Sequence, residues 1–225
     1  NGIKTTTPWL LPCLGLPFMG AVTNLRESPK NLTALFDFAV AGPLFGLVTA
    51  MGFFVAGLQL GNLATPEMTQ YYPALPVNVI TISTLGGSFV DFFAGGEGFV
   101  TTQDPSEAVR LHPFAIAGFA GLVMNSLELL PIGATDGGRL SLAIFGRKGH
   151  ALIGGFTWIS LLFAAFFVER ADAIIGAWAV YNIAQNDAEI PCRDEVTKVD
   201  LGRAATAFTL WFFAVLTFLP MPSSQ

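Results

Sequence analysis

The sequence predicts an all-α polytopic membrane protein of about five transmembrane helices, with an irregular re-entrant or interfacial segment between the first and second. Composition, the length of the charge-free runs and the placement of basic residues carry that expectation. Of the 225 residues, 52% are hydrophobic and 12% are charged, and the mean hydropathy is +0.59. A soluble domain carries about 25% charged residues, so this chain has too few charges to solvate a globule of its size. Disordered chains are poor in apolar residues and rich in charge, which excludes that class. An acidic balance of 11 Lys and Arg against 16 Asp and Glu leaves no basic stripe for DNA or RNA, so no nucleic-acid partner is expected.

A bilayer-spanning helix needs about 20 mostly apolar residues. Phe38 to Leu58 holds no charge. His112 to Leu127 is charge-free, Glu128 interrupts, and Leu129 to Thr135 continues. Ala151 to Val168 is a further charge-free run, Ala173 to Asn186 a shorter one, and Ala204 to Gln225 carries no charge. These runs place membrane segments at 36–60, 112–132, 150–168, 171–185 and 204–220. The whole chain, 1–225, reads as a single membrane domain, with residues 1–35 as a loop on its positive side.

The basic residues test that count. Lys4, Arg26 and Lys30 precede the first segment, and Arg110 alone follows it. Arg139, Arg147 and Lys148 come next, then Arg170 alone, then Arg193, Lys198 and Arg203, and the tail has none. This alternation is what the positive-inside rule predicts for five spans. It supports the short fourth segment, which carries Asp172, and puts the N-terminal side on the positive side.

Between the spans the pattern is irregular. Residues 1–35 are punctuated by Pro8, Pro12, Gly15, Pro17 and Gly20, and Gly15 to Thr23 reads as extended backbone. Residues 61–111 are broken by Pro76, Asn78, Gly86, Gly87 and Asp91. A strand pair, an interfacial helix or a re-entrant piece all fit, since non-helical backbone at membrane depth survives where protein or water covers it. Nothing in the spacing of Cys13 and Cys192 demands a bridge. The chain starts at Asn1, and no charged n-region with a cleavage site is visible.

The chemistry concentrates in Glu128-Leu-Leu-Pro131-Ile-Gly133-Ala-Thr-Asp136-Gly137-Gly138-Arg139. Asp136 has a plain explanation: it could cap a short helix over 139–146, with the two glycines making the turn. Glu128 interrupts an otherwise charge-free span, and intramembrane carboxylates face a protein interior or water and mark functional sites. Its plain alternative is a neutral or hydrogen-bonded interfacial carboxyl.

Pro131-Ile-Gly-Ala-Thr-Asp136-Gly-Gly-Arg resembles the second signature of site-2-protease-type intramembrane zinc metalloproteases. Phe38-Ala-Val-Ala41-Gly42-Pro43-Leu-Phe-Gly46, His112-Pro113-Phe-Ala-Ile-Ala117-Gly118, Ile190-Pro191-Cys192-Arg-Asp-Glu-Val196-Thr197-Lys-Val199 and Leu216-Thr-Phe-Leu-Pro220 resemble the plastid branch of that family, the ethylene-dependent gravitropism-deficient and yellow-green proteins. The resemblance covers nearly the whole chain in order. It implies zinc held by two His of an HExxH helix and by the Asp of the second motif, with the HExxH Glu activating the water. Asp136 falls on that third-ligand position. Pro131, Gly133, Gly137 and Gly138 fall on the motif around it.

Two departures stand out. These 225 residues contain no HExxH, which the resemblance puts shortly before the 1–35 loop, upstream of Asn1. Glu128 stands where the family has an Asn thought to help hold the substrate strand near the metal. The only His are His112 and His150. His112 opens the second segment and Asp136 closes it, about 30 Å apart along a helix of that length, so they cannot share a metal. His150 lies on the side of Asp136, and its polar tip suits a membrane boundary.

Three readings follow. The first is a catalytically inactive, site-2-protease-like protein: a structural or assembly subunit of a plastid, thylakoid membrane complex such as a photosystem. No residue is then catalytic. The second is an active intramembrane zinc metallopeptidase whose HExxH lies upstream, with Asp136 as a zinc ligand. The third is a transporter or channel with Glu128 and Asp136 as pathway carboxylates. It predicts an inverted repeat, yet the second and fifth segments share only apolarity. Expected partners are membrane lipids and other membrane subunits. The residues themselves define no cofactor. Zinc belongs to the active reading, and bound lipid or chlorophyll is compatible with the 21 Phe. Gly42, Gly46, Gly118 and Gly121, at short spacing, let helices approach closely and are read mainly as packing within the chain.

Overall fold

A computed structural model describes residues 3–7, 9–12, 19–95, 99–102, 104, 107–167 and 189–221. Helices dominate it. Strands β1 (Trp9–Pro12) and β2 (Met19–Val22) pair antiparallel, Trp9 against Val22 and Pro12 against Met19. The extended backbone expected over 15–23 is present over β2, and residues 15–18 lie outside the described residues. Helix α1 runs over Leu32–Leu63. It is followed by α2 (Pro66–Thr69), β3 (Ala74–Pro76), α3 (Val77–Ile80) and α4 (Thr84–Val90). A wide turn, Asp91–Gly95, leads to α5 (Phe99–Thr102) and β4 (Ala108–Arg110). Three longer helices complete the order: α6 (Pro113–Glu128), α7 (Asp136–Phe167) and α8 (Leu201–Phe218).

Two of these, Leu32–Leu63 and Leu201–Phe218, are long and apolar enough to cross a membrane. They contain the expected 36–60 segment and most of 204–220. The 150–168 segment falls largely on the distal part of α7. The 112–132 segment is shorter as a helix than expected. Helix α6 stops at Glu128 because Pro131 cannot donate a helical hydrogen bond and its ring disfavours helix before it. At about 1.5 Å per residue its 16 residues span about 24 Å, less than a hydrocarbon core of about 30 Å. The 171–185 segment and Cys13 lie outside the described residues.

The chain divides into two compact units. One comprises Asn1–Pro43 and Leu127–Trp211, the other Leu44–Ser126 and Phe212–Gln225. The division in α1 follows Pro43, which sits inside the helix and removes one backbone bond from it.

In the first unit, Asn31 caps α1 by accepting from the Ala34 N–H at 2.9 Å. Leu35, Phe36 and Ala39 are buried, as are Leu129, Ile132, Leu140, Leu142 and Ala143, and Ala207 and Leu210 from α8. Arg203 holds Asp37 through two hydrogen bonds, 2.6 and 3.1 Å. The distal part of α7 exposes Leu152, Phe156, Ile159 and Phe163. That spacing forms one helical stripe, and an exposed stripe so apolar suits lipid.

In the second unit, the glycine expectation resolves as packing within the chain. A side chain on Gly118 would collide with the backbone of Phe54 on α1, and one on Gly46 would collide with Asn125 on α6. The described residues of the 61–111 connection form a strand pair and short helices. β3 and β4 pair antiparallel, Ala74 with Arg110 and Pro76 with Ala108. Arg110 donates to the carbonyls of Gln70 and Tyr72 at 2.8 and 3.0 Å. Val77, Ile80, Val90 and Val100 are buried. Asp91 accepts from the Val100 N–H at 2.6 Å, and the chain after α8 returns to this region through Met221 N–H to Thr81 C=O, 2.9 Å.

Candidate functional site

The 128–139 block is a tight turn feeding a helix start, all within the first unit. Leu127 accepts from Leu130, Leu130 from Ile132, and Ile132 from Thr135, at 3.1, 2.8 and 3.3 Å. Gly133 sits in the left-handed region, φ 53°, where a Cβ is disfavoured. The next helix starts earlier than expected. Asp136 is its first residue, and the cap is Thr135, whose Oγ1 accepts from the Gly138 N–H at 3.0 Å. The same hydroxyl lies 2.8 Å from the carbonyls of Leu130 and Ile132. Asp136 is therefore not the cap, and Gly137-Gly138 does not make the turn. Threonine takes the role because its short hydroxyl reaches back to the third residue of the helix. That leaves the Asp136 carboxyl uncommitted to the backbone.

The glycines serve close approach instead. A Cβ on Gly137 would strike the Leu129 carbonyl, and one on Gly138 the Gly133 carbonyl. The Leu129 carbonyl also accepts from the Trp211 indole N–H at 2.9 Å, and Trp211 stacks on Phe145 at 6.0 Å between ring centres. The turn is thus wedged between α7 and α8.

Asp136 stands at the helix N-terminus, where the backbone dipoles favour negative charge. Its Oδ1 lies 3.6 Å from Arg139 Nη1, an ion pair longer than a hydrogen bond. Its Oδ2 faces Gly42 on α1, where an added Cβ would lie 3.2 Å away. Glycine at 42 keeps the space before that oxygen clear. Arg139 is itself buried, its side chain 5% exposed. Nε donates to Glu189 Oε2 at 2.5 Å, Nη2 donates to the Thr23 carbonyl at 3.0 Å, and the guanidinium lies over the Phe38 ring at 5.4 Å. Glu189 is 8% exposed.

Glu128 closes α6 and lies within electrostatic reach of Asp136 and Arg139. A carboxylate at a helix C-terminus opposes the helix dipole, so Arg139 is the nearby charge that offsets it. Pro131 supplies its carbonyl beside Gly154 of α7, 3.2 Å from where a Cβ there would sit. His150 is partly buried, and its Nδ1 has no hydrogen-bond partner among the described residues. His112 belongs to the second unit, where its Nδ1 accepts from the Phe114 N–H at 3.2 Å and its ring packs edge-on to Tyr72.

Sequence reasoning singled out Glu128, Pro131, Gly133, Asp136, Gly137 and Gly138, and the structure gathers them at one turn. It missed Gly42, Arg139 and Glu189 as neighbours of Asp136. Arg139 counted as a loop charge on the positive side, whereas it is buried and paired. The available signal was its place in a chain so poor in charge.

Among the described residues, no group of three His, Cys, Asp or Glu could hold a metal ion. A zinc centre needs three or four such donors. The described residues around Asp136 therefore do not form such a centre by themselves.

Residues 4–167 match the model of peptidase family M50. The chain is 28% identical over 228 residues to the probable zinc metalloprotease EGY1, chloroplastic, of Oryza sativa subsp. japonica, covering 97% of this chain and 36% of that protein. It is 26% identical over 222 residues to the probable zinc metalloprotease EGY2, chloroplastic, of Arabidopsis thaliana, covering 98% and 37%. It is 28% identical over 235 residues to the probable zinc metalloprotease EGY3, chloroplastic, of Oryza sativa subsp. indica, covering 97% and 38%. The chain thus spans well under half the length of these relatives. No solved structure matches it.

Proposed function

The chain belongs to peptidase family M50, and from that membership we propose that it carries the aspartate half of an intramembrane zinc-metalloprotease site in a chloroplast membrane. Asp136 contributes one zinc ligand. The remaining donors, two His of an HExxH helix, come from elsewhere in the whole protein. The alternation of basic residues supports five membrane segments, the second completed by the turn that follows α6, with the Asp136 turn on the positive side.

The observation that carries this reading is the setting of Asp136. Its carboxyl sits on a helix N-terminus, is freed from capping by Thr135, and turns Oδ2 toward the clear space at Gly42. The names of the relatives, zinc metalloproteases of the chloroplast, support both zinc and the compartment. Within this chain, Thr135 and the Gly137-Gly138 contact fix where the carboxyl stands. Arg139 neutralises part of its charge without closing its second oxygen.

Glu128 favours a second reading. A carboxylate in the position of the family's Asn alters the hydrogen bonding offered to a substrate strand. It would suit a non-catalytic subunit that stabilises a thylakoid complex, such as a photosystem. Zinc analysis of the whole purified protein, with and without Asp136→Asn, separates the two. The protease reading expects one bound zinc that Asp136→Asn removes. The structural reading expects no zinc and unchanged assembly of the complex in Asp136→Asn.

A further inference from the structure

Helix α7 is broken at Gly146, whose φ of 68° and ψ of 178° fall in a region open essentially to glycine alone. The break separates a motif limb, 136–145, from a distal limb, 147–167. Nothing lies within 4 Å of the place a Cβ would take at Gly146, so the break is open on that side; farther along the distal limb, Gly154 meets the Pro131 carbonyl.

One segment grips both limbs. Glu189 pairs with Arg139 on the motif limb at 2.5 Å. Six residues later, Glu195 accepts a fork of two hydrogen bonds from Arg147, the first residue past the break, at 2.9 and 2.7 Å. The segment is anchored between and beyond these grips. The N–H groups of Arg193 and Asp194 donate to the carbonyls of Pro29 and Lys30 at 2.9 and 3.2 Å, and Arg203 holds Asp37 at 2.6 Å. Glu195 is also fixed from within, by the Cys192 N–H at 3.0 Å.

The two grips differ in strength. The Arg139–Glu189 side chains are 5% and 8% exposed, those of Arg147 and Glu195 47% and 29%. Breaking a buried pair strands a charge away from water, whereas an exposed pair opens at little cost.

We propose that residues 189–203 form an ionic brace across the break in α7, a conformational device that sets the angle at Gly146. When the Arg147–Glu195 fork opens, the distal limb swings about Gly146. The motif limb stays, held by Arg139–Glu189, and Asp136 keeps its place. The brace depends only on these pairs and not on the zinc reading of Asp136.

Hydrogen–deuterium exchange of the whole protein in phosphatidylcholine nanodiscs tests this. In Glu195→Gln, amides 146–151 should exchange up to about fivefold faster, the most an exposed pair supports, while 137–143 and 32–43 keep their wild-type rates, as a local opening requires. Arg147→Gln, which removes the other partner of the fork, should raise exchange over 146–151 by a similar factor, and combining it with Glu195→Gln should add little. Unchanged exchange at 146–151 in Glu195→Gln overturns the brace, and so does an equal rise over 137–143. If Glu195→Gln does not accumulate, wild-type protein in about 1 M salt, where the Debye length is about 3 Å, serves instead. Faster exchange confined to 146–151 supports the brace, and none overturns it.

Discussion

Arg139 and Glu189 stand 50 positions apart in sequence and meet at 2.5 Å, both nearly buried. The pair joins the motif helix to the segment that follows the distal part of α7. Removing Glu189 leaves Arg139 buried with, among the described residues, only the longer ion pair to Asp136, the Thr23 carbonyl and the Phe38 ring. Glu189→Leu should therefore cost up to about 3 kcal/mol of stability, and Arg139→Met with Glu189→Leu should cost less than the sum of the two single changes. Denaturation of the detergent-solubilised protein checks this. An additive double variant would contradict the pairing.

Gly137 shows the cost of a side chain at the motif turn. Gly137→Ala forces a methyl group into the Leu129 carbonyl and should destabilise by about 1–3 kcal/mol. Gly155→Ala, on the same helix with open space around it, should be neutral or slightly stabilising, since alanine favours helix by up to about 1 kcal/mol. Thermal unfolding of the two variants side by side gives the comparison.

Those residues also mark how far the sequence was legible. Hydropathy located α1 and α8 because a long apolar run has few alternatives to a helix. It overran α6, since a transfer scale scores Leu129 and Leu130 as span while Pro131 and the carbonyl-to-glycine contacts already turn the chain. The motif residues were readable as neighbours in sequence. Gly42, Arg139 and Glu189 were not readable as a cluster, because only tertiary packing brings α1 and the 189–203 segment to the start of α7. Asp136 looked like a cap because Asp and Thr both favour that position, and the backbone geometry chose Thr135.

Arg147 lowers the pKa of Glu195 chiefly by donating a hydrogen bond to it. A carboxyl whose folded pKa is depressed stabilises the fold above its ordinary value, here 4.5, and loses that contribution as pH falls through the depressed value. The Arg147–Glu195 pair is partly exposed, and solvent screening limits it to about 0.2–1 kcal/mol at pH 7. A double-mutant cycle should find that coupling at pH 7 and a smaller one at about pH 3, below the ordinary value, as the carboxyl begins to take up its proton. Equal coupling at both values would contradict the assignment.

Burial pushes the Cys192 thiol up to about 11, and the thiolate is the reactive form. Site-resolved mass spectrometry should find Cys192 alkylated by iodoacetamide at pH 8 at least about tenfold more slowly in the native protein than after denaturation. Equal rates would show that the thiol is open.

On the proposed function, Asp136 is one ligand of a zinc centre completed by the whole protein. Zinc measured by mass spectrometry in the intact purified protein, wild type against Asp136→Asn, tests it most directly. About one zinc per wild-type chain is expected, as one catalytic centre requires, with its loss in Asp136→Asn and the fold retained. Zinc absent from wild type, or bound equally by the variant, would contradict it.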